Sequence, residues 1–364
     1  LLPYHHGYLG NLNGRLGEDK VTMAEILAEA GYATDACVTI AYLTHVYGMN
    51  QGFQTGQKYD DDGSGESGRQ VTAHGRRFLA AQNDDPFLLL LHYFDVHAPY
   101  TPPEPYDGMY YEGDPRAPGT PIVDFLRSDA NHLVKGRDQL YDWLEGVTDH
   151  EYAIRQYAAG VTFVDDQLGQ VIAELKTQGL YEETCIVLVS DHGEHLGEHG
   201  LHYTHLYPFQ EAIHVPLLIK WPGNRHAGRI VDEPVSTLDI LPTLLEILEL
   251  PPREGLDGRS LQSVIRGEIP AEPRLLVAEQ GAEERNFVKV LIEGPWKLMM
   301  FRVDGEYYPS LYHLPSDPGE LNDVAQDHQD VVYRLAYRMW DVFDEERPLT
   351  DQEPLLPRGV SEET

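Results

Sequence analysis

The chain has 364 residues and a formal charge of -33, from 60 Asp and Glu against 27 Lys and Arg, so most of its surface repels polyanions. Nucleic acid and anionic membrane are therefore poor partners, and no apolar run is long enough to span a bilayer. Two cysteines, Cys37 and Cys185, cannot build a disulfide framework, and Cys185 sits in an apolar run that reads as strand core.

In chain order, Thr22 and Glu25 have capping-box spacing ahead of Ile26 and Leu27, and Gly31 stands where that helix should stop. A strand over 34–40 follows. Beyond the Asp/Gly/Ser-rich stretch 60–68, a helix is predicted over 70–82. Phe87 to Leu91 is an unbroken apolar run, which predicts a fully buried strand that delivers Asp95-Val96-His97-Ala98-Pro99-Tyr100 to its end. Residues 101–150 are rich in Pro, Asp and Tyr without periodicity, as in a long loop or lid. Ile154, Tyr157, Val161, Val164, Leu168, Val171 and Leu175 recur at helical spacing, with Gly179 as the stop.

The most informative stretch comes next. Cys185 to Ser190 reads as a buried strand, and it runs directly into Asp191-His192-Gly193-Glu194-His195-Leu196-Gly197-Glu198-His199-Gly200. In α/β sheets, ligands gather beyond the carboxyl ends of strands, and a hard carboxylate oxygen beside an imidazole nitrogen suits a divalent cation. Residues 215–219 form a further strand, and Leu238, Leu241, Leu244, Leu245 and Leu248 mark one helix face. Strands alternating with helices predict an α/β fold with a mostly parallel sheet between helices. After Pro270 the texture changes to short strands over 275–279, 287–292, 297–301 and 307–314 and a helix over 329–343, which predicts a small C-terminal antiparallel sheet with a helix. The expected division is 1–270 for the α/β domain and 271–364 for the C-terminal α+β subdomain.

The order and spacing of several segments resemble the sulfatase family of the alkaline phosphatase superfamily. They are Gly31-Tyr32-Ala33-Thr34, His92 to Tyr100, Ser190 to Gly200, Val215-Pro216-Leu217, Gly255 to Leu261, and Leu311 to Glu320. The resemblance implies an alkaline-phosphatase-like sandwich and metal-dependent hydrolysis of sulfate esters through a covalent intermediate. It places Asp191 and His192 as metal ligands, His97 against the sulfuryl group or leaving oxygen, and His205, or alternatively His202, where relatives neutralise the transferred group. It implies one divalent ion, with calcium first and manganese among the alternatives, and a small-molecule or carbohydrate sulfate ester as substrate. A phosphodiesterase or phosphonate monoester hydrolase of the same superfamily is the alternative, favoured by His192. An inactive fragment is a third reading.

Three departures from the family pattern bear on that expectation. The Cys-x-Pro-Ser-Arg motif, whose cysteine becomes formylglycine, is absent from these residues, as are the paired aspartates of the first metal strand. Leu1 to Gly7 resembles the segment shortly after the nucleophile helix, so the chain is expected to be a fragment with formylglycine only in a preceding segment. The Gly-Lys-x-His that often follows the Gly-Tyr-x-Thr strand is replaced around Thr39 and Ile40. Among the remaining polar residues, His195, His199 and His202 read as solvated or supporting residues of a loop with room for a second metal. Glu194 and Glu198 read as orienting that loop, and Asp60-Asp61-Asp62 as a solvated turn with calcium binding as the alternative. The C-terminal signature reads as structural. On this reading the 364-residue chain alone turns over aryl sulfates negligibly. Robust release of 4-nitrophenol from 4-nitrophenyl sulfate by the purified polypeptide would refute it.

Overall fold

The computed structural model describes residues 14–60, 65–83, 85–127, 138–268, 274–281 and 287–343. Leu1 to Gly7, Asp61 and Asp62 lie outside the described residues. The chain divides into two compact units, Arg15–Thr184 with Leu196–Thr204, and Leu1–Gly14 with Cys185–His195 and His205–Thr364.

In the first of these, α1 (Met23–Glu29) starts at the expected capping box: the Thr22 hydroxyl accepts the Glu25 N–H at 3.1 Å and the Glu25 carboxylate accepts the Thr22 N–H at 2.8 Å. It leads into β1 (Ala33–Val38), which lies between β2 (Thr55–Lys58) and β3 (Phe87–Leu91) in a parallel sheet of order β2-β1-β3, and α2 (Glu66–Ala80) joins β2 to β3. Parallel neighbours need such a crossover, which is why the alternation of strand and helix could be read from sequence. The expected full burial of 87–91 does not hold: Leu90 is 37% exposed, because β3 is an edge of the sheet among the described residues.

The described residues of 101–150 hold more regular structure than their lack of periodicity predicts. The short helix α3 (Ile122–Leu126) buries Ile122, Val123 and Leu126 against Tyr100, Tyr141, Leu144, Val147, Ala153 and Tyr203. The helical segments are at most seven residues long, too short for a 3.6-residue repeat to declare itself, and so the sequence reads as loop. The long helix α4 (His150–Thr177) has the predicted length, with Asp149 capping it through the Glu151 N–H at 2.9 Å. Of the predicted stripe only Leu175 is fully buried; the rest of the buried face is shifted from it. Ala153, Gln156, Ala159, Gly160, Phe163 and Gln167 face inward, while Val161 is 47% exposed. Small side chains let α4 approach α2 closely, and Gly68 on α2 completes that approach: a Cβ there would lie 3.0 Å from the Phe163 ring.

In the other unit, β4 (Ile186–Val189) forms where a strand is predicted, but not as a buried core strand: its residues are half-buried and Val189 is 42% exposed. Leu196–Thr204, with most of the short strands β5 (His195–Leu196) and β6 (His202–Thr204), belongs to the first unit, and α5 (Gln210–Ile213) and β7 (Leu217–Lys220) follow in the second. β7 pairs antiparallel with β4, Val189 opposite Leu217. The helices α6 (Ile240–Ile247) and α7 (Gln262–Arg266) contribute Ile247 and Ile265 to a core with Trp221, Leu261 and Cys185. Finally β8 (Leu275–Gln280), β9 (Phe287–Glu293), β10 (Trp296–Val303) and β11 (Glu306–His313) form an antiparallel sheet of order β11-β10-β9-β8. One face, with Leu291, Leu298 and Leu311, packs on Leu335, Met339 and Trp340 of α8 (Gln329–Phe343); the other, with Val290, Met299 and Tyr312, packs on Tyr207, Phe209 and Ile213. Alternation along the strands supplies both faces.

One buried charge organises β1. Asp35, 2% exposed, accepts a hydrogen bond from the Thr55 hydroxyl on β2 through Oδ1 and pairs through Oδ2 with His74 Nε2 on α2. Removing the imidazole leaves a buried carboxylate with half its bonding, so His74→Ala is expected to cost about 1–3 kcal/mol in urea unfolding. An unchanged unfolding midpoint would show that Thr55 alone satisfies Asp35.

Candidate metal-binding strand end

The sequence places Asp191 and His192 directly after β4, and the structure shows how the backbone presents them. The Ser190 hydroxyl donates to the His192 carbonyl at 2.6 Å, and the His192 N–H donates to Asp191 Oδ1 at 3.0 Å, which tightens the turn. The Gly193 N–H then donates to the Ala212 carbonyl at 2.8 Å. Gly193 has to be glycine for contact reasons: a Cβ at this position would lie 2.0 Å from the Glu211 carbonyl oxygen.

The imidazole of His192 is oriented in the manner expected of a ligand. Its Nδ1 lies 2.9 Å from the Gly193 carbonyl, which fixes the proton on Nδ1 and makes Nε2 the electron-pair donor. That Nε2 is 3.8 Å from Asp191 Oδ2, a span that one ion bonded to each atom at about 2.1–2.5 Å can bridge. The Asp191 side chain is 77% exposed and the His192 side chain 30%, so both are accessible. The chemistry of this donor pair fits a divalent cation.

The His205 ring stacks on His192, with centroids 4.0 Å apart, and its Nδ1 lies 3.8 Å from Oε1 of Glu194, whose carboxylate is nearly buried. Of the two alternatives from sequence, it is His205 that joins His192. The contacts of His202 are to Phe125, to His150 at a ring separation of 5.2 Å, and to Tyr203. His195 is completely buried, with Nε2 3.1 Å from the Tyr207 carbonyl and Nδ1 4.0 Å from Glu211, so it is internal rather than solvated.

His97 stands beyond β3 in the other unit. Its Nδ1 donates to the Ala98 carbonyl at 2.6 Å, the same backbone device seen at His192, and its ring stacks on Phe94 at 4.4 Å. With Asp95, Val96, Tyr100 and Tyr157 it lines a cleft. Val96 holds φ of 82°, a left-handed conformation that a β-branched residue adopts only when its surroundings impose it. Sequence reasoning did not find Phe94 as the platform for His97; an aromatic three residues before a histidine is too common a pattern to stand out. The two thiols offer no reactive alternative. Burial pushes Cys37 up to about 12 and Cys185 up to about 11.

Comparison with known proteins places this architecture and the loop after β4 in the alkaline phosphatase superfamily. A Sulfatase family model matches residues 1–250, and a model described as N-sulphoglucosamine sulphohydrolase, C-terminal, matches residues 197–345. The chain belongs to the sulfatase family. It is 30% identical over 288 residues to a multifunctional alkaline phosphatase superfamily protein of Trinickia caryophylli, covering 70% of this chain and 55% of that protein. It is 29% identical over 260 residues to a choline-sulfatase of Rhizobium meliloti, covering 68% and 49%. The chain thus spans about half the length of the curated relatives it matches. Among solved structures, a protein in complex with its substrate D-glucosamine-2-N,6-O-disulfate superposes with a TM-score of 0.73 at 18% identity, covering 97% of this chain and 87% of that one. The phosphonate monoester hydrolase of Agrobacterium radiobacter also gives 0.73, at 21% identity and 94% and 83% coverage.

The surroundings of His202 give a pH test. Burial, followed by the neighbouring His150, lowers its pKa from 6.5, so the folded state takes up a proton less readily than the unfolded chain. The neutral ring's contribution to stability is present above pH 6.5 and is lost as the pH falls below it. Replacing the ring by Leu is expected to flatten the fall in melting temperature on the acid side of that value. Equal slopes for wild type and His202→Leu would contradict the assignment.

Proposed function

We propose that the chain serves metal-dependent hydrolysis of sulfate esters, with Asp191 and His192 as cation ligands and His97 and His205 as the groups that meet the ester. The observation that carries the reading is the orientation of His192, its Nδ1 proton bound to Gly193 so that Nε2 faces Asp191 Oδ2 across 3.8 Å. A divalent cation, when bound, supplies Lewis-acid stabilisation of an anionic ester. In a chain of net charge -33 that local positive charge is what allows an anionic substrate to approach. Calcium is proposed first and manganese as the alternative, since a carboxylate oxygen with an imidazole accommodates either.

The chain's own residues contribute orientation and protons. His97, held through Nδ1 by the Ala98 carbonyl, presents Nε2 to accept or deliver a proton at a leaving oxygen. His205, stacked on His192 and with Nδ1 3.8 Å from Glu194 Oε1, is placed to meet developing negative charge. No nucleophile is assigned among the residues of this chain. A covalent intermediate would form on the aldehyde hydrate of a formylglycine, which requires the Cys-x-Pro-Ser-Arg context. The substrate class proposed is a small-molecule or carbohydrate sulfate ester; the solved relative bound to a disulfated glucosamine supports a sugar.

A second reading, phosphonate monoester or phosphodiester hydrolysis, is favoured by the similarity to the Agrobacterium radiobacter enzyme and to the multifunctional Trinickia caryophylli protein. Parallel assays of the full-length gene product on 4-nitrophenyl sulfate and on a 4-nitrophenyl phosphonate monoester separate the two. A kcat/KM preference for the sulfate is expected, with His97→Ala lowering kcat about 10²–10⁴-fold. Preference for the phosphonate would move the assignment to the second reading.

A further inference from the structure

Beneath the strand-end loop, and within the same compact unit, lies a buried ion pair that the proposed chemistry does not use. Lys297 on β10 and Glu320, seven residues beyond β11, are fully buried side chains, with Lys297 Nζ 2.6 Å from Glu320 Oε1. The ammonium also donates to the Pro208 carbonyl at 2.8 Å, and Glu320 Oε2 accepts the N–H of Gln210 at 2.7 Å. Glu320 holds φ of 52°, in the left-handed region that a residue with a side chain rarely enters.

These bonds converge on one short segment. Pro208 and Gln210 bracket the start of α5, and the products of that segment are the contacts that shape the ligand loop. Its Ala212 carbonyl receives the Gly193 N–H at 2.8 Å, its Tyr207 carbonyl meets His195 Nε2 at 3.1 Å, and its Glu211 lies 4.0 Å from His195 Nδ1. Apolar packing of Tyr207, Phe209 and Ile213 on Val290, Met299 and Tyr312 holds the segment to the sheet but has no direction along it. The ion pair supplies the direction. Two apolar residues of similar volume would fill the same space at equal or better stability, so packing alone does not call for a lysine and a glutamate here.

We propose that Lys297 and Glu320 are positioning residues for the ligand loop: gripping Pro208 and Gln210, they fix the segment in the register that aims His192. This rests on the reading of Asp191 and His192 as cation ligands, but its geometry exists without the ion. It gives the C-terminal Leu311 to Glu320 signature, which reads from sequence as structural, a role in the site.

The test cuts the grip in two ways in the full chain. Gln210→Pro removes the N–H that Glu320 accepts, with Gln210→Ala as the control for the lost side chain; Gln210 is the first residue of α5, where proline is tolerated, and Phe209 before it is already extended, at ψ of 169°. Lys297→Met with Glu320→Leu replaces the pair by apolar volume. Ring resonances of His192 and His205 are followed by NMR in the metal-free chain, with melting temperature as the control and Mn²⁺ titration by calorimetry as the second readout. Both variants are expected to melt close to wild type, to shift the ring signals of the stacked pair, and to weaken Mn²⁺ about 10–100-fold. Ring signals at wild-type positions in folded Gln210→Pro would overturn the proposal, and that variant decides alone if the double variant does not fold. If wild type itself binds no Mn²⁺ or Ca²⁺, the ligand reading falls, while the ring shifts still decide the positioning role.

Discussion

The hydrogen bond from Gly193 N–H to the Ala212 carbonyl, 2.8 Å long, is the constraint on which the candidate site depends. It draws two backbones so close that no side chain fits between them at position 193. Once that approach is made, the chain leaving β4 cannot continue as strand, Asp191 and His192 are turned outward, and the Gly193 carbonyl is placed where it can fix the His192 proton. The Gly193–Ala212 contact thus acts together with the hydrogen bonds that Asp191 and His192 make themselves.

The same economy of backbone holds at His97. There, too, a neighbouring carbonyl fixes the ring, the left-handed Val96 bends the chain, and the Phe94 face supports the imidazole. Both histidines are thus set by local main-chain geometry at strand ends, the part of an α/β fold where a rigid strand holds the start of a variable loop. Two of the buried charges among the described residues have close partners. Asp35 meets His74, and Lys297 meets Glu320, each where an unpaired charge would be costly.

The region 101–150 and the helix α4 show where pattern reading stops. The short helical segments of the former carry a real core, but none is long enough to display a period. On α4 the bulky stripe through Ile154, Val161 and Val164 is the visible amphipathic signal, yet Ala153, Ala159 and Gly160 are inward, because close helix packing rewards small residues rather than large ones. The strand β3 departs from expectation for the opposite reason: an apolar run states that a strand is compatible with burial, and its position at a sheet edge among the described residues decides how much burial it receives.

What the sequence determined by itself was local or ordered along the chain. The Thr22–Glu25 cap, the strand bounds of 87–91, the C-terminal strands and helix, the Asp191-His192 pair and the family resemblance are all carried by neighbours within a few residues or by motifs in a fixed order. Tertiary structure alone decided the rest. That His205 stacks on His192, that His195 is buried, and that a lysine of the C-terminal sheet and a glutamate beyond it bond the segment behind Gly193 depend on residues far apart in sequence. Such contacts leave no periodic trace, because each is set by how separate elements pack and not by the residues that flank it.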